Sequence, residues 1–240
     1  MQFPVILVIP ACDEAASIAR VLSEVPPELV ADVIVVVGSL ADPTARVAAA
    51  QGARVVVQSI PGYGAACSEG AREAAALGAE VVVFLDGDYS DPPLELASVL
   101  APMLKGEADL VLGCRDLSDH PSALPLHTRL GNRLVLAVLR VLLGSWQLSD
   151  LPSFKAVRVD VLKGLQMREM TYGWTVEMVV KAVRASLRIA QVSINYRPRL
   201  AGRSKVSGTV LGSLRAAWTL LICAARYARW TPRSMTVEAV

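Results

Sequence analysis

Val81-Val82-Val83-Phe84-Leu85-Asp86-Gly87-Asp88 is the stretch on which the reading of this chain turns. The apolar run is short, rich in β-branched residues and bounded by turn residues, the pattern of a strand buried on both faces of a parallel sheet. Side chains alternate across a strand, so Asp86 and Asp88 project to one side of its C-terminal end. Gly87 between them leaves room for a ligand at the backbone. Open α/β sheets bind ligands at this edge, and two carboxylates there suit a hard divalent cation with open positions. Such a cation neutralises a diphosphate, so group transfer from a diphosphate leaving group is the chemistry to expect. Asp-x-Asp is also a common polar strand end; the rest of the chain decides between the two.

Upstream and downstream of this stretch, strand and helix alternate. The patterns predict strands over 5–9, 33–37, 55–58, 81–85 and 110–113, and helices over 14–24, 44–51, 64–77 and 94–104, the first capped by Asp13. Short connections and this rhythm predict a doubly wound, mostly parallel sheet. Ligands then meet the strand ends at 10–14, 38–42, 61–64, 86–91 and 113–116. From about residue 120 the rhythm changes. A helix over 126–143, a loop over 144–152, a strand over 154–159, helices over 160–166 and 175–185, a strand over 189–196, a basic loop over 197–208 and a long helix over 210–230 follow. The division expected is a catalytic domain over 1–212, with a nucleotide half (1–116) and an acceptor half (117–212), then a helix and tail over 213–240.

The 240 residues can bury a substantial core, and 53% of them are hydrophobic, with mean hydropathy +0.45. A net charge of +2 provides no general nucleic-acid surface, so no nucleic-acid partner is expected. Charge is nonetheless uneven. Eight basic residues follow residue 196 against one acid, Glu238, a balance that suits phosphate, diphosphate or a lipid surface. Cys12, Cys67, Cys114 and Cys223 lack metal spacing and read as reduced thiols of a cytoplasmic protein. The sequence enters a strand at once, without the pattern of a signal peptide. No window reaches the ~18 apolar residues of a spanning helix.

The segments VILVIPACDEAASI (5–18), GYGAACSEGA (62–71), VVVFLDGDYSDPP (81–93), SDLPSFKAVRVDVL (149–162), YGWTVEM (172–178) and GRSKVSGTV (202–210) resemble glycosyltransferase family 2. Within it they are most similar to the polyprenyl-phosphate sugar transferases related to dolichol-phosphate mannose synthase. The resemblance implies a GT-A (Rossmann-like) fold, a nucleotide-sugar donor of GDP-mannose or UDP-glucose type, Mg²⁺ or Mn²⁺, and inversion at the anomeric carbon. It implies that Asp88 holds the metal on the diphosphate, with Asp86 nearer the ribose or sugar and also near the metal. Pro10, Glu14, Asp42, Gly62, Tyr63, Gly64 and Gly87 complete the implied donor site. Asp13 stands where the family has asparagine, and a plain N-cap explains it as well. The end of the second strand departs from the pattern: Val37, Gly38, Ser39 and Leu40 replace the expected carboxylate and the Gly-Ser turn after it, and only Asp42 keeps its place.

A phosphate acceptor needs no general base, because its pKa₂ of about 6 leaves it anionic at neutral pH. It needs cations, and the resemblance assigns Arg115, Arg129, Arg203 and Lys205 to phosphates; Arg gives bidentate contacts. Asp150 either bonds sugar or acceptor or orients an arginine, and Glu177 is a polar contact in the pocket. Tyr172 and Trp174 either line the site or pack in the core. The helix over 210–230 carries Leu, Trp and Arg at spacings that suit an in-plane anchor at the cytoplasmic face of a membrane, or a core or homodimer contact. The expected activity is hexosyl transfer to polyprenyl or dolichyl phosphate. Two alternatives stay open: a non-catalytic nucleotide-binding scaffold and a soluble transferase acting on a small acceptor.

Overall fold

The computed structural model describes residues 3–144, 148–202 and 210–232. Its centre is one seven-stranded sheet of order β3-β2-β1-β4-β6-β5-β7. The strands are β1 (Val5–Pro10), β2 (Asp32–Val37), β3 (Arg54–Val57), β4 (Val81–Phe84), β5 (Leu110–Asp116), β6 (Lys155–Arg158) and β7 (Ile189–Asn195). All pairings are parallel except those of β6, which runs antiparallel between β4 and β5. The helices are α1 (Ile18–Ser23), α2 (Pro43–Ala50), α3 (Tyr63–Ala76), α4 (Leu96–Leu104), α5 (Leu126–Leu143), α6 (Val159–Leu165), α7 (Trp174–Arg184) and α8 (Val210–Tyr227).

Period-2 alternation divides the core into two layers. Val5, Leu7 and Ile9 of β1 and Val35 and Val37 of β2 face one side, with Ile18 of α1, Ala48 of α2 and Leu100 of α4. Ile6, Val8, Ile34 and Val36 face the other, with Ala66 and Cys67 of α3, Val135 and Leu139 of α5, Trp174 of α7 and Cys223 of α8. Strands buried on both faces account for the unbroken valine runs. The two halves of the chain share this sheet, because β6 is inserted beside β4. The C-terminal helix belongs to the same body: Cys223, Ala224 and Tyr227 of α8 are buried in the core.

The first helix differs from expectation. Residues 11–17 form turns rather than helix, and α1 is confined to Ile18–Ser23. Asp13 is not an N-cap. It sits at φ 56 and donates its N–H to Asp42 Oδ2 (2.9 Å). Left-handed backbone tolerates Asn and Asp better than most residues, which accounts for either at this position. The 94–104 helix begins as a 3₁₀ turn, Pro93–Glu95, and β5 runs on to Asp116.

Helix α3 lies close on the sheet because Gly70 has no side chain. A Cβ there would meet Val8 Cγ1 at 2.3 Å and Val36 Cγ2 at 3.0 Å, both stiff β-branched residues of the sheet. Gly70→Ala is therefore expected to cost about 1–3 kcal/mol. Urea unfolding measures this; an unchanged midpoint would mean that α3 can lift from the sheet without loss.

Candidate active site

A cleft of about 880 Å³ follows the C-terminal strand edges. Its floor comes from Pro10, Ala11, Cys12 and Glu14 after β1, Gln58, Pro61, Gly62 and Tyr63 after β3, and Asp86, Gly87 and Asp88 after β4. Arg115 of β5 and Tyr196 and Arg199 beyond β7 line its far side. Thr128, Gly131, Asn132 and Val135 of α5 and Ser213, Ala216, Ala217 and Leu220 of α8 cover it.

The acidic turn is the most highly charged part. Asp88 is 4% exposed. Its Oδ1 accepts from Ser90 N (2.9 Å) and Ser90 Oγ (2.6 Å). Its Oδ2 pairs with Arg199 Nη2 at 2.6 Å, while Arg199 Nη1 donates to Glu14 Oε1 at 2.7 Å. Arg199 thus bridges the β1 and β4 ends. Its own segment is pinned to the same turn through Arg197 N→Ser90 O (2.9 Å) and Leu200 N→Asp88 O (3.1 Å). Ser17 Oγ donates to Gly87 O (2.8 Å), closing the turn from the β1 side.

Asp91 completes a group of three acids and is fully buried; its Oδ2 accepts from Ser153 Oγ at 2.7 Å. Burial, with Asp88 and Asp91 nearby, pushes the Asp86 carboxyl up to about 8, against the pull of Lys155. Burial pushes Asp91 up to about 6, against its bond from Ser153 and the charge of Arg115. A divalent cation at this turn would favour the ionised carboxylates. Lys155 is buried in β6, opposite Phe84. Its Nζ donates to Pro152 O, Ser153 O (both 3.0 Å) and Thr175 Oγ1 (3.1 Å) and lies 5.6 Å from the Trp174 ring centroid. Lys155 therefore fixes the loop whose Ser153 bonds Asp91.

Arg115 is clamped. Its Nε and Nη2 reach the two Asp150 oxygens at 2.6 Å each, and Asn132 Nδ2 joins Asp150 Oδ1 at 2.9 Å. The Arg115 guanidinium lies 5.4 Å from the Tyr196 ring centroid. Burial raises the Asp150 carboxyl, but Arg115 more than offsets this and holds it below 3.8.

Of the residues expected at the site, Pro10, Glu14, Gly62, Tyr63, Asp86, Gly87, Asp88 and Arg115 line this one cleft. Several others have different places. Asp42 caps α2, accepting from Thr44 N (2.8 Å) and Asp13 N, and is not among the cleft-lining residues. The Gly64 and Ala65 N–H groups are not available to an anion, because Thr171 O and Met170 O accept them. Gly62 and Gly64 are small because this segment packs against them: Cβ atoms would lie 2.1 Å from Met170 O and 2.3 Å from Glu169 O. The missing side chain of Gly87 makes room for protein rather than ligand, since a Cβ would meet Ala11 at 3.2 Å.

Glu177 is buried away from the cleft. It accepts from Arg168 N and Glu169 N and pairs with Lys181 (2.6 Å), holding the segment that supports Gly62. Asp150 sits behind Arg115 as its orienting partner. Arg129 is outside the lining and donates through Nε to Leu124 O (3.1 Å). Tyr172 lines the cleft, whereas Trp174 packs edge-on to Phe84 in the core. Arg203 and Lys205 lie outside the described residues.

Sequence reasoning did not single out Arg199, Lys155, Asp91 or Gln58. Arg199 had a signal: Tyr196-Arg197-Pro198-Arg199 leaves a strand at the ligand-binding edge. Lys155 stands where the family pattern has an arginine, but a lysine in an apolar strand gives no notice of the partners it will meet.

Removing one member of a buried ion pair strands the other, so Arg115→Met is expected to cost about 3–5 kcal/mol at neutral pH. Asp150 has its pKa lowered in the folded state, so its contribution is present above the usual carboxylate range and is lost as pH falls through the depressed value. Without Arg115, burial raises the Asp150 carboxyl in the variant, so the stability gap between wild type and Arg115→Met should be widest at neutral pH and narrow as pH falls toward and below about 4. A pH series of urea unfolding curves reads this; a gap that ignores acid would contradict the pairing.

Residues 6–165 match the family model described as glycosyl transferase family 2. An uncharacterised glycosyltransferase of Mycobacterium tuberculosis is 34% identical over 220 residues, covering 88% of this chain and 94% of that protein. An undecaprenyl-phosphate mannosyltransferase of Micrococcus luteus is 29% identical over 139 residues, 54% of each chain. Among solved structures, the glucosyl-3-phosphoglycerate synthase of Mycobacterium tuberculosis, in complex with Mn²⁺, UDP-glucose and phosphoglyceric acid, superposes with TM-score 0.75 at 27% identity, covering 97% of this chain and 81% of that one. With its seven-stranded GT-A sheet and a family match over most of its length, this chain belongs to glycosyltransferase family 2 and is a glycosyltransferase.

Proposed function

We propose that the protein transfers a hexose, with inversion, from a nucleoside diphosphate donor to the phosphate of a polyprenyl carrier. The observation that carries the donor side is the Asp88–Arg199 pair at the cleft floor. Asp88 already holds a cationic group there, and Asp86 and Glu14 add hard oxygen donors beside it. This donor set fits Mg²⁺ or Mn²⁺. Asp88 and Asp86 would hold the metal, which supplies neutralisation of the diphosphate leaving group. The related synthase with bound Mn²⁺ and UDP-glucose supports a divalent metal and a nucleotide-sugar donor.

On the acceptor side Arg115 brings a fixed positive charge to the cleft, oriented by Asp150 and Asn132. An acceptor phosphate oxygen attacks the anomeric carbon. The bond from that carbon to the diphosphate oxygen breaks, and the nucleoside diphosphate leaves with the electron pair. The phosphate is anionic at neutral pH, so the chain needs to supply orientation and charge rather than a base.

The lipid carrier is favoured by what helices α5 and α8 present on their outer sides. Leu126, Leu130 and Leu134 of α5 recur every four residues and are 72%, 55% and 54% exposed; Trp218 and Ile222 of α8 are 66% and 44% exposed. Arg133 is exposed beside the α5 stripe. Apolar residues bordered by arginine suit a helix lying in a membrane surface. Among the described residues no helix is long and apolar enough to cross a membrane. A small phosphorylated acid is the second reading, because the synthase structure contains phosphoglyceric acid.

The test is an assay of labelled hexose transfer from UDP- and GDP-hexoses with Mn²⁺, using polyprenyl phosphate in vesicles or 3-phosphoglycerate in solution. The expected product is a lipid-extractable glycosyl phosphate that EDTA abolishes and Asp88→Asn reduces by at least a hundredfold. Transfer to 3-phosphoglycerate alone would establish the second reading. A fully active Asp88→Asn would overturn the metal assignment.

A further inference from the structure

Helix α3 starts without a side-chain cap. Its N-cap residue is Gly62, and no side chain accepts from its first turn. The N–H groups of a first turn have no partner within the helix. Carbonyls from far along the chain take them: Gly64 N donates to Thr171 O at 3.2 Å and Ala65 N to Met170 O at 3.0 Å. Gly62 and Tyr63, at this same helix start, line the cleft. The cleft wall at the β3 end is therefore fixed by residues 165–171. That segment is held from its other side by a buried ion pair of α7. Lys181 and Glu177 are 2.6 Å apart, with side chains 1% and 0% exposed. Lys181 Nζ donates to Leu165 O (2.9 Å) and Gln166 O (2.8 Å), and the Glu177 carboxylate accepts from Arg168 N (2.9 Å) and Glu169 N (2.7 Å). The end of α8 covers the cation: Lys181 Nζ lies 4.8 Å from the Tyr227 ring centroid and 5.4 Å from that of Trp230, within cation–π range.

We propose that Tyr227 and Trp230 are positioning residues for donor binding, acting through the Lys181–Glu177 pair on the Gly62–Tyr63 wall of the cleft. The proposal rests on the nucleotide-sugar reading above. None of these four side chains lines the cleft, so their influence passes through the bonds between. A buried ion pair is stable only while its charges stay shielded and its remaining polar groups stay satisfied. Opening the aromatic cover lets water reach the Lys181 ammonium and competes with its bonds to Leu165 O and Gln166 O. Glu177 then loses its fixed partner and its hold on the 168 and 169 N–H groups. The Met170 and Thr171 carbonyls, next in the chain, are no longer held against Gly64 and Ala65. The start of α3 loosens, and with it the wall beside Tyr63. The acidic turn after β4 is bonded to Ser17, Arg197 and Leu200 instead, so the diphosphate end of the site stays in place.

The test joins two measurements on the full chain, for wild type, Tyr227→Leu, Tyr227→Phe and Glu177→Gln. Hydrogen–deuterium exchange reads the Gly64 and Ala65 amides against those of β1 and β4. Calorimetric titration in excess Mn²⁺ reads binding of UDP-glucose, GDP-mannose and pyrophosphate. Circular dichroism melting verifies folding, and Tyr227→Leu leaves the ion pair itself intact should Glu177→Gln not fold. In Tyr227→Leu and Glu177→Gln the Gly64 and Ala65 amides should exchange about tenfold faster, with β1 and β4 unchanged. Affinity for the nucleotide sugar that wild type binds should fall about fivefold, with pyrophosphate unchanged. Tyr227→Phe, which keeps the ring over Lys181, should match wild type in both. Unchanged exchange at Gly64 and Ala65, or exchange that rises equally in β1 and β4, would overturn the proposal. So would faster exchange there with nucleotide-sugar affinity unchanged, or a Tyr227→Phe that behaves as Tyr227→Leu. If wild type binds neither nucleotide sugar, the donor reading falls and the donor role falls with it, while the exchange rates still decide whether α8 holds the start of α3.

Discussion

Charge balance around one turn organises the ligand-binding edge of this molecule. Asp86, Asp88 and Asp91 lie within six residues, and each is held in or beside the protein interior. Three like charges taken out of water repel one another and lose hydration, as the raised Asp86 and Asp91 carboxyls record. The compensation comes from three separate strand ends. Lys155 starts the antiparallel β6, Arg115 lies near the end of β5, and Arg199 follows β7. Lys155 lowers the Asp86 carboxyl, Arg115, itself paired with Asp150, lowers Asp91, and Arg199 pairs directly with Asp88. The outer half of the sheet thus supplies the cations that the acids of the inner half require.

This arrangement links packing to chemistry. Lys155 has its donors consumed by Pro152, Ser153 and Thr175, so its charge acts at a fixed position. Arg115 is locked by Asp150 and Asn132 and stays oriented while remaining at the cleft wall. Arg199 differs, because its partner Asp88 is a carboxylate that the proposed metal would take. A divalent cation held at Asp88 would displace the guanidinium from it, so that metal binding would exchange one cation for another.

The fold was legible because it rests on patterns that local chemistry enforces. Valine runs of strand length, turns between them and amphipathic helices gave the first five strands to within a few residues. The site was legible in part. Asp86, Asp88, Glu14 and Arg115 sit at strand ends and all line the cleft. Glu177, Gly64 and Asp42 carry family-like patterns yet serve packing and capping, because a backbone segment arriving from residues 168–171 uses the hydrogen bonds a ligand was expected to use. That arrival is a long-range event with no local signature. The same holds for Lys155, whose meaning depends on which strand becomes its neighbour: β6 joins β4 across some 70 residues of sequence.

The exchange of cations at Asp88 is the centre of this account, and titration of Mn²⁺ followed by electron paramagnetic resonance tests it most directly. Wild type should bind Mn²⁺ weakly alone and more tightly with UDP present. Arg199→Gln, which removes the resident cation, should bind Mn²⁺ alone more tightly than wild type, and Asp88→Asn should not bind it. Mn²⁺ affinity unchanged in Asp88→Asn, or weakened in Arg199→Gln without nucleotide, would contradict the account.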